Sequence, residues 1–69
     1  MKTKCEKLQE IFSQYINGNK KDTAYLVDEY GLFSVWDDLH GYLLTLYAAR
    51  AADEYIRKMV ISYHYIKYR

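Results

Sequence analysis

Sixty-nine residues with ten basic and nine acidic side chains, for a net charge of +1, make one domain with a marginal core. Chains this short bury only about 60% of their unfolded surface and often rely on a disulfide, a metal or a partner chain. Cys5 is the single cysteine, so an internal disulfide is excluded and a reducing cytoplasm becomes the expected location. The balanced charge lacks the field of a dedicated nucleic-acid binder or an acidic DNA mimic, and no stretch approaches the roughly 18 apolar residues of a membrane span. Lys-Thr-Lys-Cys-Glu follows Met1, which is no apolar leader.

The expected fold is all-α, a single domain over residues 1–69 with three to four helices and a long or bent C-terminal helix. The first helix opens at Thr3, which forms a capping box with Glu6. Cys5, Leu8, Phe12 and Tyr15 recur at helical spacing beside Ile11 and Ile16, so this face is expected to be buried, Cys5 included as a small hydrophobe. Asn17-Gly18 ends the helix near residue 17, glycine supplying the left-handed position. Asn19-Lys20-Lys21 reads as a polar loop of no consequence for binding, and Asp22 as the N-cap of a short second helix over 23–30.

Leu26, Val27 and Tyr30 face the core in that helix, and Gly31 stops it. Leu32 and Phe33 are expected to cross the core before Ser34 and Asp37 cap a third helix in a second box. Its buried stripe is Val35, Leu39, Tyr42, Leu43 and Leu46, with Gly41 weakening it by about 1 kcal/mol relative to alanine. Arg50, Asp53, Glu54, Arg57 and Lys58 stand three and four apart, the pattern of helical ion pairs.

An unbroken helix from Ser34 to Ile66 would be about 50 Å long, too long for a globule whose expected radius of gyration is about 11 Å. The apolar stripe also changes phase, since Ala52, Ile56, Met59 and Tyr63 continue on a new line. A bend or break near Ala48–Ala52 is therefore expected. Residues 59–68 are rich in β-branched and aromatic side chains and read alternatively as a strand, although no good partner strand exists.

Function has fewer signals. Residues 23–43 imitate a helix-turn-helix, but Val27 replaces the small residue before the turn and Asp37-Asp38 would meet phosphates, so an ordinary αα-hairpin is expected. Asp37 and His40 could supply two metal ligands, too few for a site, and neither Cys5 nor His64 completes the set; no metal or cofactor is expected. The carboxylate pairs Asp28-Glu29, Asp37-Asp38 and Asp53-Glu54 diverge by about 100° on a helix and are solvated faces, not acid–base pairs.

Tyrosine is the strongest clue. Nine tyrosines are more than so small a core can hold, and six of them lie from Tyr42 onward, so some are expected at a contact with another molecule. Tyr63, Tyr65 and Tyr68 near the chain end, and Trp36 off the third helix's stripe, are the candidate partner-binding residues. The expected function is a non-enzymatic protein–protein interaction module, an inhibitor or regulator that occludes or bridges a larger protein, with a homodimer also in view. The share of Lys, Asn, Ile, Tyr and Phe is typical of AT-rich genes, which bacteria, phages and mobile elements all supply, and the small size favours a phage or mobile-element protein. The alternative is a small dimeric nucleic-acid-associated regulator using Arg57, Lys58, His64, Lys67 and Arg69 between the tyrosines.

Overall fold

Thr3 and Glu6 form the expected capping box: the Thr3 amide donates to Glu6 Oε1 at 3.1 Å and the Glu6 amide to Thr3 Oγ1 at 3.2 Å. It opens the first of four helices in a computed structural model that describes residues 2–68. These are α1 (Lys4–Ile16), α2 (Lys20–Tyr30), α3 (Val35–Leu44) and α4 (Ala49–Lys67), and no strand occurs among the described residues. The strand alternative for residues 59–68 is thus overturned, because α4 continues through Lys67 and satisfies its backbone internally.

The α1–α2 corner is tight. Gly18 takes φ of +83° and donates to Tyr15, while the Asn19 amide reaches back to Gln14 O at 3.0 Å. The Asn19 side chain also donates to Gln14 Oε1 at 2.7 Å, which occupies it with α1 and leaves it unable to cap α2. The corner consumes so little chain that α2 starts three residues before the expected position. Lys20 and Lys21 are therefore helical rather than a loop, and Asp22 lies in the first turn, where a carboxylate suits the positive dipole end, rather than at the cap.

Gly31 ends α2 with φ of +118°, a conformation other residues rarely adopt. The turn after it sends Leu32 and Phe33 outward, so they do not cross the core: Phe33 is fully exposed and Leu32 is 46% exposed. Ser34 has helical φ and ψ of −119° and −13°, a cap needs extended geometry, and its hydroxyl accordingly makes no capping bond. The second capping box is absent.

After Leu44 the chain breaks without glycine or proline. Thr45 donates its hydroxyl to the Tyr42 carbonyl at 2.5 Å, a side-chain bond that competes with continued helix, and Ala48 is extended. The break thus occupies 45–48, at the near edge of the expected window, and Leu46 is left outside α3 and exposed. Nineteen residues of α4 span about 28 Å, matching a molecule whose largest extents are 31 Å and whose radius of gyration is 11.1 Å.

Around the core the helices form a ring in which α1 touches α2 and α3, and α4 touches α2 and α3. α2 packs on α1 and α4 and barely touches α3, so the expected hairpin of α2 with α3 does not form, nor does a helix-turn-helix. Leu8, Ile11 and Phe12 from α1, Ala24 and Val27 from α2, Val35, Leu39 and Leu43 from α3, and Ala52, Met59 and Tyr63 from α4 fill one cluster. Edge contacts from Tyr42, Tyr47 and Tyr55 surround the Phe12 ring at 5.2 to 6.5 Å, which absorbs three tyrosines of the surplus. Cys5 is exposed, one turn too early on α1 to reach this cluster.

Candidate functional site

The site question turns on α4, because a helix separates residues two apart by about 200° whereas a strand puts them on one face. Tyr63 lies on the line of Ala52 and Met59 and is 5% exposed. Its ring meets Trp36 edge-on at 5.8 Å, and its hydroxyl donates to Asp28 Oδ1 at 2.5 Å. Lys67 holds the other carboxylate oxygen of Asp28 at 2.6 Å. The Lys67 and Tyr63 hydrogen bonds hold the Asp28 carboxyl below its usual range, and the Asp28 bond with burial pushes the Tyr63 phenol up to about 12. Tyr63 and half-buried Trp36 are thus brought together as packing between α3 and α4, and Tyr63 is corrected from a contact residue to a core residue.

Tyr65 and Tyr68 face outward, 66% and 71% exposed, and the Tyr68 ring leans on His64 at 5.6 Å. Ile61, one turn before Tyr65, is 62% exposed. Lys58, Ile61, Ser62 and Tyr65 follow the i, i+3, i+4, i+7 spacing of one helical face, a second stripe beside the core stripe. This stripe forms one wall of a groove of about 610 Å³ whose remaining lining is Tyr15 from α1, Lys20 and Lys21 from the first turn of α2, and Ile66. No carboxylate lines it.

The basic set of the nucleic-acid alternative is not assembled in the same way. Arg57 and Lys58 share Glu54 at 2.5 and 3.7 Å, and Lys67 is committed to Asp28. His64 is exposed on another side of α4, and Arg69 lies outside the described residues. His40 bonds Asp53 at 2.6 Å across α3 and α4 rather than turning to Asp37, and no group of three or more potential metal ligands occurs among the described residues. No helix among those residues is long and apolar enough to cross a membrane.

Sequence reasoning missed Ile61, Tyr15, Ile66 and the two lysines of α2. Ile61 was recoverable from spacing once α4 is read as helix; Lys20 and Lys21 were not, because their placement depends on where α2 begins. No protein family, characterised protein or solved structure matches this chain.

Proposed function

We propose that the protein is a non-enzymatic protein–protein interaction module that occludes or bridges a larger protein. The observation that carries this reading is the second stripe of α4, where Ile61 and Tyr65 stand one turn apart and more than 60% exposed. Scattered surface hydrophobes are ordinary, but a contiguous apolar strip at the wall of a groove is the usual mark of an interface. Tyrosine offers large contact area with few rotors to freeze, which suits Tyr65 and Tyr68 to such a surface. A regulator or inhibitor encoded by a phage or mobile element fits the small size and the Lys-, Tyr- and Ile-rich composition.

The nucleic-acid reading draws less support, since three of its cations are already paired with carboxylates of this chain. Affinity capture from the native source with wild type beside Tyr65→Ala tests the proposal. The expected result is a protein retained by wild type, lost from the variant, and still retained between about 50 and 200 mM salt. Over that range binding through six to ten phosphates would lose about 10³–10⁵ in affinity. Recovery of nucleic acid alone, or of no protein that wild type retains and the variant loses, refutes it.

A further inference from the structure

We propose that the groove between the α1–α2 corner and the C-terminal half of α4 docks an acidic, apolar segment of a partner protein, one presenting large apolar side chains flanked by Asp or Glu. The inference rests on the interaction reading above and adds the partner's chemistry. Its floor and wall are apolar: half-buried Tyr15 and Ile66 at the base, Ile61 and Tyr65 projecting above them. Its rim is cationic, with Lys20 and Lys21, unpaired among the described residues, on one side and Lys58, loosely shared with Glu54 at 3.7 Å, on the other. The remaining lining group is Ser62.

The two α2 lysines are the informative pair. Most other cations of this chain are paired, Lys2 with Glu10, Lys4 with Asp38 at 3.5 Å, Arg57 and Lys58 with Glu54, and Lys67 with Asp28. Lys7 and Arg50, which form no ion pair among the described residues, lie in clefts lined by carboxylates, Glu10 and Glu29 for the one and Asp53 and Glu54 for the other. Lys20 and Lys21 form no ion pair among the described residues, and they occupy the first two positions of α2, the positive end of its dipole. Helix stability favours carboxylates there; Asp22 provides one, but it does not line the groove. Two unpaired cations at an unfavourable helix position, beside exposed apolar side chains, complement an acidic apolar ligand.

Two other occupants fit less well. A second copy docking by the same patch would face three lysines with three lysines across a two-fold axis. Nucleic acid would find only two aromatic faces, Tyr15 and Tyr65, beside the aliphatic surface of Ile61 and Ile66, in a chain of net charge +1.

The test is selection of a random 12-residue peptide library on phage against the immobilised full-length chain, followed by anisotropy on the resynthesised peptides. Enriched peptides should combine large apolar residues with Asp or Glu, and exchange of those acids for Asn or Gln should weaken binding about tenfold. Tyr65→Ala should weaken it about thirtyfold, as expected of a hot spot. Ile61→Gln and the pair Lys20→Glu with Lys21→Glu should each cost about tenfold or more. All four side chains are exposed, so circular dichroism should remain near wild type. Melting should be near wild type for the Ile61 and Tyr65 variants and at or above it for the lysine pair, whose new carboxylates suit the start of α2. Shifts of the Ile61 and Tyr65 amide resonances on titrating wild type with peptide give a readout independent of any variant.

Peptides that bind without acidic residues, or whose binding survives these substitutions with no shift at Ile61 or Tyr65, overturn the groove and leave the interaction reading intact. Failure to enrich any peptide overturns the docking proposal, and the interaction reading then stands or falls on the capture experiment. Self-association abolished by Ile61→Gln, or binding of a dT12 oligonucleotide abolished by the lysine pair, reassigns the groove and likewise overturns it.

Discussion

Replacing Tyr63 by Phe removes one hydroxyl from the α2–α4 contact and leaves the ring in place against Trp36. That hydroxyl donates to the Asp28 carboxylate at 2.5 Å, and a hydrogen bond to a charged acceptor contributes about 1.5–3 kcal/mol. The lower end applies, because the Asp28 side chain is 35% exposed and keeps Lys67 at 2.6 Å after the change. No buried polar atom is stranded, so a loss of about 1–1.5 kcal/mol is expected, or roughly 4–12 °C in Tm for a domain this small. Tyr63→Ala is a different experiment: a buried aromatic lost to alanine costs about 3–5 kcal/mol, enough to unfold a chain of this size. It cannot serve as a probe of partner binding.

The pH dependence separates the hydroxyl from generic packing loss. The Tyr63 phenol is raised in the folded state from 10.0 to about 12, so its contribution is complete below pH 10 and is lost as pH rises through the folded value. Asp28 is lowered from 3.8, so its contribution is present above the unfolded value and lost as pH falls through the folded one. Tyr30, raised to about 12 mainly by burial and then by its bond to Asp38, adds a second alkaline component. Urea unfolding followed at the helical circular dichroism band should therefore show wild type weakening above pH 10, Tyr63→Phe weakening less steeply, and Tyr30→Phe with Tyr63→Phe less steeply still. The double variant keeps the limb due to Tyr47, raised by burial, and Lys67, raised by its bond to Asp28. A Tyr63→Phe variant as stable as wild type at pH 7, with an unchanged alkaline limb, would refute the reasoning.

Three further outcomes are expected. Gly41→Ala should stabilise the protein by about 1 kcal/mol, raising Tm by about 4–8 °C, since a Cβ there meets nothing within 4 Å and α3 is otherwise continuous; a lower Tm would mean that α3 bends at this point. Phe33→Ser should leave Tm within about 2 °C, because the ring is fully exposed, whereas a loss of several degrees would return Phe33 to the core. Cys5 should react completely with a thiol reagent in the native protein, and protection released only by urea would contradict its exposed position.

What the sequence made legible follows from how local the controlling interaction is. Thr3 and Glu6 find each other within one turn, and the glycines at 18 and 31 take positive φ with little reference to the rest of the chain. Ion-pair spacing over residues 50–58 marked α4 as helix for the same reason. Errors arose where a short-range rule was overruled by a competing bond. Asn19 spends its side chain on Gln14, Ser34 is drawn into helical geometry by the turn before it, and Thr45 ends α3 through a carbonyl bond that composition does not announce. Tyr63 was a different kind of error: the line Ala52, Ile56, Met59, Tyr63 already placed it inside, and only the open choice between helix and strand kept it grouped with Tyr65.

The groove itself depends on the overruled positions. Had α2 begun near residue 23, Lys20 and Lys21 would lie in a loop free to sample many directions, and a rim of mobile lysines confers little specificity because each must be ordered on binding. Gly18 and the Asn19–Gln14 bond instead fold the corner so that both lysines leave a regular helix, opposite a regular helix carrying Ile61 and Tyr65. Functional groups mounted on rigid elements keep their mutual geometry. A corner that looks like a failed helix cap is therefore what turns a surplus of tyrosine and two unpaired lysines into one preorganised surface.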